Sequence, residues 1–405
     1  MRKLGIVFGW LLCATLAAPL PGAAEDGLPV YQLRIKDKAL RRFLAHRESI
    51  RDRGFLSPDD RLWVPATFEH GGVAYKVKIR LRGDLPVHWR GEKNSYRVKF
   101  KGQPFRGQTE LNLIVPWDKH YAVEWLQTRV ADELGLLYFP GRFVDLVING
   151  EPAGLYYENE HPTRAYLERH RRTPSSIFTF GANWTRYFGM PYHYIAFELP
   201  GSTTTPPIES IGQIMQRGTT AKGDEETARK QRAYLEDFYR LLTEGSVADV
   251  ARLADRYLDL EKFARYVALQ NYFGSAHGMA LNDNTRLYLD PTSGKFEFIP
   301  WDIALWSLAE RAEERGVRVA DLLTPQDPVF HKIFSAFPEV RVRRDAVLRE
   351  LLARSEEFAE SLDRAHARLE QSHPEDERLR QQRVRHNAVF RENHALLAGL
   401  LAPAP

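Results

Sequence analysis

Asp302 closes an apolar run, "FEFIPWD", with Trp301 before it and Ile303 after it. A carboxylate in such company needs a partner, because burying an unpaired charge is costly. Upstream, "LNDNTRLYLDPTSGKFEFIP" reads as two short strands turning at Asp290-Pro291 through Gly294. Strand pairing there would bring Asn284, at the start of the hairpin, toward Asp302 at its end. An amide oxygen, a carboxylate and phosphate oxygens form the hard-oxygen set that suits magnesium. Phosphoryl transfer needs that set, a cation on the phosphates and a base for the incoming hydroxyl. The same two residues could equally cap a turn and the segment that follows it.

Cations are supplied by "RLRGDLPVHWRGEKNSYRVKF". Arg80 and Arg82 fall on one face of a strand, Arg97 and Lys99 on one face of the next, and Lys93 just precedes that second strand. Rows of cations on one sheet face can hold a polyphosphate. They can also form a solvated face, the commoner fate of charge on strands.

The elements that must position these groups change character along the chain. "VPATFEH" and "VAYKVKIRLRG" flank His70-Gly71-Gly72 as a hairpin with period-two alternation, and "SYRVKF" and "ELNLIV" continue it. A helix-like stretch follows from Tyr121 to Leu134, stopped by Gly135. "RFVDLVINGEPAGLYYENE" then makes two strands around Asn149-Gly150. From about Arg172 to Gly223 the chain is rich in Gly, Ser, Thr and Pro and reads as a long irregular connection. Helical patterns dominate afterwards: Leu235, Phe238 and Leu242 share a face, as do Phe263, Tyr266 and Val267 after a cap at Asp259. Two long charged helices, about Glu339 to Glu370 and Glu377 to Leu401, finish the chain. The order predicts an α+β protein in two lobes: a sheet-rich N-terminal lobe over 25–160, and a mainly helical C-terminal lobe over 161–405 holding one polar hairpin at about 282–302.

The N-terminus predicts the compartment. Arg2 and Lys3 precede an apolar run from Leu4 to about Leu20, and Gly22-Ala23-Ala24 offers small residues for cleavage, so 1–24 reads as a secretory signal peptide. The run is short for a bilayer span and is broken by Pro19 and Pro21, so no stable membrane span is expected after cleavage. The single cysteine, Cys13, leaves with this segment, which excludes disulfides and thiolate metal sites from the mature chain. With 57 basic and 53 acidic residues in 405, the chain has no overall nucleic-acid signature. Its 12% aromatic content argues against disorder.

Read together and in order, "IRLRGD", "KNSYRVKF", "LNLIVPWDKHYAVEWLQTRVADELGL", "VDLVINGEPAGLYYENEH", "YVALQNYFGS" and "NTRLYLDPTSGKFEFIPWDIA" resemble the CotH kinase family over roughly residues 75 to 305. That family is named for a bacterial spore-coat protein. The resemblance implies an atypical protein-kinase-like fold, secreted or associated with the periplasm or cell envelope, that uses ATP and Mg2+ to phosphorylate serine or threonine of a protein substrate. It makes Asp302 the magnesium aspartate and Asn284 the second metal ligand. Lys93 and Arg97 become the phosphate contacts, with Arg82 in the same basic set, and Glu160 a residue at the nucleotide edge. Glu124 or Asp118 would orient the phosphate-binding lysine.

The chain also departs from the family pattern. The family's catalytic aspartate follows the glycine of its "GN-x-D" segment, whereas "GSAHGMALNDN" offers His277 there and Met279 at the ordinary kinase offset. Asp283 and His277 are the nearby groups able to take a proton or orient a hydroxyl. The second aspartate of "WDxD" is replaced by Ala304. Two further readings follow: a catalytically inactive surface or envelope binding protein, and a transferase that moves AMP instead of phosphate.

Overall fold

Alternation within "VAYKVKIRL" builds the wall of a barrel. Val77, Ile79 and Leu81 pack into an apolar interior with Tyr31, Leu33, Phe68, Val98 and Leu113, while Lys76 and Lys78 are exposed on the other face. The strands are β1 (Val30–Arg34), β2 (Val64–His70), β3 (Val73–Leu81), β4 (Tyr96–Phe100), β5 (Glu110–Ile114), β6 (Gly141–Ile148) and β7 (Glu151–Glu160). They close in the order β1-β2-β3-β4-β5-β7-β6. All neighbours are antiparallel except β1 and β6, which pair parallel from Val30↔Asp145 to Leu33↔Ile148. The β6–β7 turn uses Asn149 (φ 54°) and Gly150 (φ 90°), both left-handed, as a tight hairpin requires. Between β1 and β2 lies a helix the sequence reading did not foresee, α1 (Asp37–Arg51), whose Ala39, Phe43 and Ile50 are buried with the barrel's apolar residues.

The computed structural model describes residues 27–51, 56, 61–83, 85–180, 214–217, 225–275, 286–325 and 328–402. The expected signal segment, 1–24, lies outside them, as do three expected site residues, His277, Asp283 and Asn284.

After β5 a single turn of 3-10 helix, Pro116–Lys119, leads into α2 (Ala122–Glu133), and α3 (Arg164–Arg169) follows the barrel. The stretch expected to be irregular carries two strands among its described residues: β8 (Ile177–Phe180) and β9 (Ile214–Arg217). They join the hairpin β10 (Arg286–Leu289) and β11 (Phe296–Phe298) in a four-stranded sheet ordered β11-β10-β8-β9. Strands of four residues give a weak period-two signal, and pairing of β8 with distant β10, and of β9 with β8, makes up for it.

Helices fill the rest: α4 (Glu225–Glu244), α5 (Val247–Leu253), α6 (Leu260–Tyr272), α7 (Leu308–Arg315), α8 (Val319–Leu322), α9 (Pro328–Ala336), α10 (Pro338–Ala353), α11 (Ser355–Ser372) and α12 (Glu377–Leu401). Asp259 caps α6 by accepting from Glu261 N and Lys262 N, both at 3.1 Å. The long helix expected from Glu339 to Glu370 divides at Arg354, whose guanidinium bonds Glu357 forward and Glu133 of α2. The largest apolar cluster joins α2, α4, α6 and β11 to α9 through α12. A sheet-rich N-terminal part and a helical C-terminal part therefore stand as expected. No helix among the described residues is long and apolar enough to cross a membrane.

Candidate functional site

Two Pro-Trp-Asp tripeptides, 116–118 and 300–302, converge on one lysine. The first continues into Lys119, which is 1% exposed, and the Lys119 ammonium donates to the Asp302 carboxylate while lying 3.5 Å from Asp118 Oδ2. Backbone geometry explains how each group arrives. Asp302 has a left-handed φ of 55°, a conformation aspartate tolerates better than most residues. That bend lets Trp301 and Ile303 enter the apolar core while the carboxylate remains at the cleft. On the other side, His120 and Tyr121 follow Lys119 at φ 49° and 50° and turn the chain sharply into α2.

Around Asp118 the barrel contributes a second layer. Arg82, just beyond β3, approaches Asp118 Oδ2 at 3.5 Å, and His88 Nε2 lies 3.4 Å from Asp118 Oδ1. Burial, with Arg82 and Lys119 nearby, holds His88 down at about 4, so it is neutral near pH 7. Burial works to raise the Asp118 carboxyl, but the neighbouring His88, Lys119 and Arg82 prevail and hold it below its usual range. For Lys119, burial opposes the charge, and Asp302, Asp118 and Glu124 more than compensate, so its pKa is raised.

Glu124 lies in the first turn of α2. Burial pushes it up to about 7, with Asp302 and Asp118 acting in the same direction and Lys119 and Arg82 opposing. Together with Gln127, Thr128, Tyr138 and the segment Pro300–Ile303 it lines a small cleft beside Asp302. The Gln127 amide is buried there and has no hydrogen-bond partner on either atom among the described residues.

The remaining expected residues fall into separate places. Arg97 is buried in a polar row across the outer barrel wall, where register pairs it with Asn112 and Asn112 with Asn159. Its Nε donates to Asn112 Oδ1 at 2.9 Å, and its Nη1 lies 2.8 Å from His161 Nε2. Glu160 pairs in register with interior-facing Leu111 and is bound by Arg169 of α3. Lys93 sits near the turn between α11 and α12, donating to Leu155 O at 3.4 Å with Asp376, Glu375 and Asp145 close by. Of the expected site residues, the structure thus brings Asp302, Arg82, Asp118 and Glu124 together, and sets Lys93 and Glu160 elsewhere. Lys119 escaped the sequence reading. The signal that would have found it is the repeated Pro-Trp-Asp, since a lysine directly after one copy has a carboxylate beside it from the start.

Magnesium is the ion that the family resemblance implies here. Asp302, Asp118 and Glu124 supply hard oxygens around one ammonium, the chemistry such an ion selects. Among the described residues, no group of three or more His, Cys, Asp or Glu side chains is arranged to hold a metal. Of the two residues expected to hold magnesium, Asn284 lies outside the described residues and Asp302 presents its carboxylate at the cleft. Asp302 fits this role: its side chain is 28% exposed at the cleft.

Barrel, helical half and an acid-flanked buried lysine between them describe a class, and sequence comparison names it. The model of the family described as CotH kinase protein matches residues 79–393, and the chain belongs to that family. It is similar to the inner spore coat protein H of Bacillus subtilis (strain 168), 27% identical over 290 residues that cover 70% of each chain.

Proposed function

We propose that this chain is a secreted or cell-envelope kinase that moves the γ-phosphate of ATP to a serine or threonine hydroxyl of another protein. In this reading the barrel half is the nucleotide lobe and the helical half the second lobe of an atypical kinase-like fold. The observation that carries it is Lys119, an ammonium buried between Asp302 and Asp118 with Glu124 behind it. Family membership and the spore-coat name of the relative support the kinase class and the extracytoplasmic setting.

Each residue then has a task. Lys119 and Arg82 meet the phosphate oxygens as fixed cations. Asp302, with Asn284, would hold magnesium, which when bound supplies charge neutralisation on the phosphates. In the transfer, the bond between the γ-phosphorus and its bridging oxygen breaks and ADP leaves. The acceptor oxygen bonds to phosphorus, and its proton passes to Asp283 or His277. Glu124, close to its midpoint at neutral pH, tunes how strongly Lys119 is held back from the phosphates.

One observation favours a second reading. Ala304, where the family carries another aspartate, is a buried apolar position at 2% exposure, so that carboxylate is missing from the site. A nucleotide-binding protein without catalysis would look the same. Incubation of the chain with magnesium and ATP, followed by intact mass and peptide mass analysis with candidate protein substrates, separates the cases. Added phosphate supports the kinase, added AMP replaces it with nucleotidyl transfer, and no product despite nucleotide binding leaves the binding protein.

A further inference from the structure

The outer wall of the barrel carries two adjacent rows of cations. Alternation puts Lys76, Lys78, Arg80 and Arg82 on one face of β3 and its continuation, and Arg97, Lys99 and Lys101 on the same face of β4. Register sets Lys78 opposite Lys99 and Arg80 opposite Arg97, and Lys101 N donates to Lys76 O at 2.9 Å just beyond the paired residues. Like charges directly opposite on one face of a sheet repel. A wall whose only task is to close the barrel gains nothing from them.

Neighbouring acids do not offset the exposed part of these rows. Glu69 of β2 is paired with Arg34 at 2.8 Å, and Glu110 of β5 with Lys99 at 2.8 Å. Arg80, Arg82 and Arg97 are buried and held within the wall: Arg80 donates to Leu81 O at 2.7 Å, Arg97 to Asn112, and Arg82 lies beside Asp118. Lys76, Lys78 and Lys101 are exposed, and they form no ion pair among the described residues. The charge open to a partner is theirs.

Shape and position narrow the choice of partner. At about 3.3 Å per residue the row from Lys76 to Arg82 runs roughly 20 Å, and its two strands lie about 5 Å apart. That footprint matches one extended chain. In a closed barrel β3 and β4 are paired on both sides, so a partner meets side chains here and finds no strand edge to extend. The row also has a direction. It ends at Arg82, 3.5 Å from Asp118, and Lys119 joins Asp118 to Asp302. Lys78, the nearest of the three lysines in the chain, precedes Arg82 by roughly 13 Å of strand.

We propose that Lys76, Lys78 and Lys101 form a docking surface for an acidic segment of the substrate protein, placed roughly four to six residues from the serine or threonine that is phosphorylated. Capture of the acidic segment is a property of the wall, whereas its place beside the acceptor rests on the kinase reading. Docking there raises the local concentration of the acceptor hydroxyl without touching the reacting atoms.

The test uses the full chain and a labelled peptide with one serine followed by a run of glutamates, beside versions with glutamine or lysine in their place. Fluorescence anisotropy without nucleotide reads binding, and phosphate incorporation with magnesium and ATP reads transfer. The glutamate peptide should bind roughly tenfold or more tightly than the glutamine peptide, and added salt should erode the difference. Lys76→Glu/Lys78→Glu/Lys101→Glu removes that preference while its thermal midpoint stays near that of wild type. It also raises KM for the glutamate peptide at unchanged kcat and leaves the glutamine peptide unaffected. Lys78→Gln gives a partial loss, and decides alone if the triple variant does not fold. Equal binding of the three peptides, tighter binding of the lysine peptide, or a loss that tracks a fall in thermal midpoint overturns the proposal. So does wild-type capture of phosphatidylglycerol vesicles without any preference for the glutamate peptide, which gives the wall to a lipid surface. A wild type that binds the glutamate peptide in the expected pattern but transfers nothing keeps the docking surface and removes the kinase. One that phosphorylates all three peptides equally keeps the kinase and removes the docking surface.

Discussion

Lys119 reaches Asp302 across 183 positions of chain, and with it ties the end of the barrel to the hairpin of the helical half. The pair is asymmetric. Lys119 is 1% exposed and has other carboxylates near it, whereas the Asp302 side chain is 28% exposed.

That asymmetry predicts different outcomes for the two partners. Lys119→Met removes the ammonium between Asp302, Asp118 and Glu124, and should cost about 3 kcal/mol. Asp302→Ala leaves Lys119 with Asp118 and should stay folded while losing magnesium-dependent nucleotide binding. Urea denaturation and calorimetry read the two effects. Intact binding in Asp302→Ala would remove Asp302 from the metal role.

Glu124 makes stability depend on pH. Its folded pKa, about 7, is above the ordinary carboxyl range. Between that range and pH 7 the folded chain keeps a proton that the unfolded chain has released. Stability therefore falls as pH rises through this window, and the whole penalty is present above it, about 2–3 kcal/mol. Glu124→Gln should be more stable than wild type at pH 8 and nearly equal at pH 4.5. Parallel curves for the two proteins would show that Glu124 does not titrate there.

His373 gives a dependence of the same sign from a favourable pair instead of a buried acid. The turn between α11 and α12 places His373 Nε2 2.7 Å from Asp145 Oδ1 of β6, and that bond, helped by Glu375 and opposed by burial, raises the imidazole pKa. A raised histidine stabilises fully below its ordinary pKa and loses the contribution as pH passes its folded pKa. His373→Ala should cost about 1 kcal/mol at pH 5.5 and much less at pH 9. Denaturant midpoints at the two pH values are the measurement.

Arg97 and Lys93 can be told apart by where their variants fail. Arg97 is bonded within a buried row, so Arg97→Ala should cost about 2 kcal/mol without any ligand. Lys93 makes one long bond to Leu155 O, so Lys93→Ala should change stability far less. A larger loss of ATP affinity than of stability in Lys93→Ala would confirm its expected phosphate role. No loss of affinity would end it.

The proton acceptor is tested by phosphate incorporation in Asp283→Asn and His277→Ala. A loss of about a hundredfold or more in one variant names the base, in line with general-base contributions. Full activity in both excludes the pair.

The local part of this protein was legible in its sequence. Val77, Ile79 and Leu81 announced a strand with one apolar face, Asn149-Gly150 a tight hairpin, and Asp259 a helix cap, because each signal is carried by neighbours in the chain. Asp302, Arg82 and Glu124 or Asp118 were each named from the motifs, but the lysine expected beside the last two was Lys93, which lies instead near Leu155 and Asp376. Lys119 was not legible, because a buried lysine differs from a surface one only through carboxylates that arrive from elsewhere. The break at Arg354 was hidden for a similar reason: the bond that holds it comes from Glu133 on another helix. β8 depends on pairing with distant β10, and β9 on pairing with β8, more than on their own pattern.

The parallel pairing of β1 with β6 also sets an order of events during folding. β2 through β5 can form hairpins as they appear, but the barrel has open edges until β6 has paired with β1 and β7, which ends at Glu160, has paired with β5. Exposed strand edges invite pairing with other chains, and contacts so distant in sequence form slowly. As the chain is made, α1 can cover apolar barrel residues through Phe43 and Ile50 before closure is possible. A variant that unravels α1 should therefore aggregate during synthesis more than its loss of equilibrium stability would suggest.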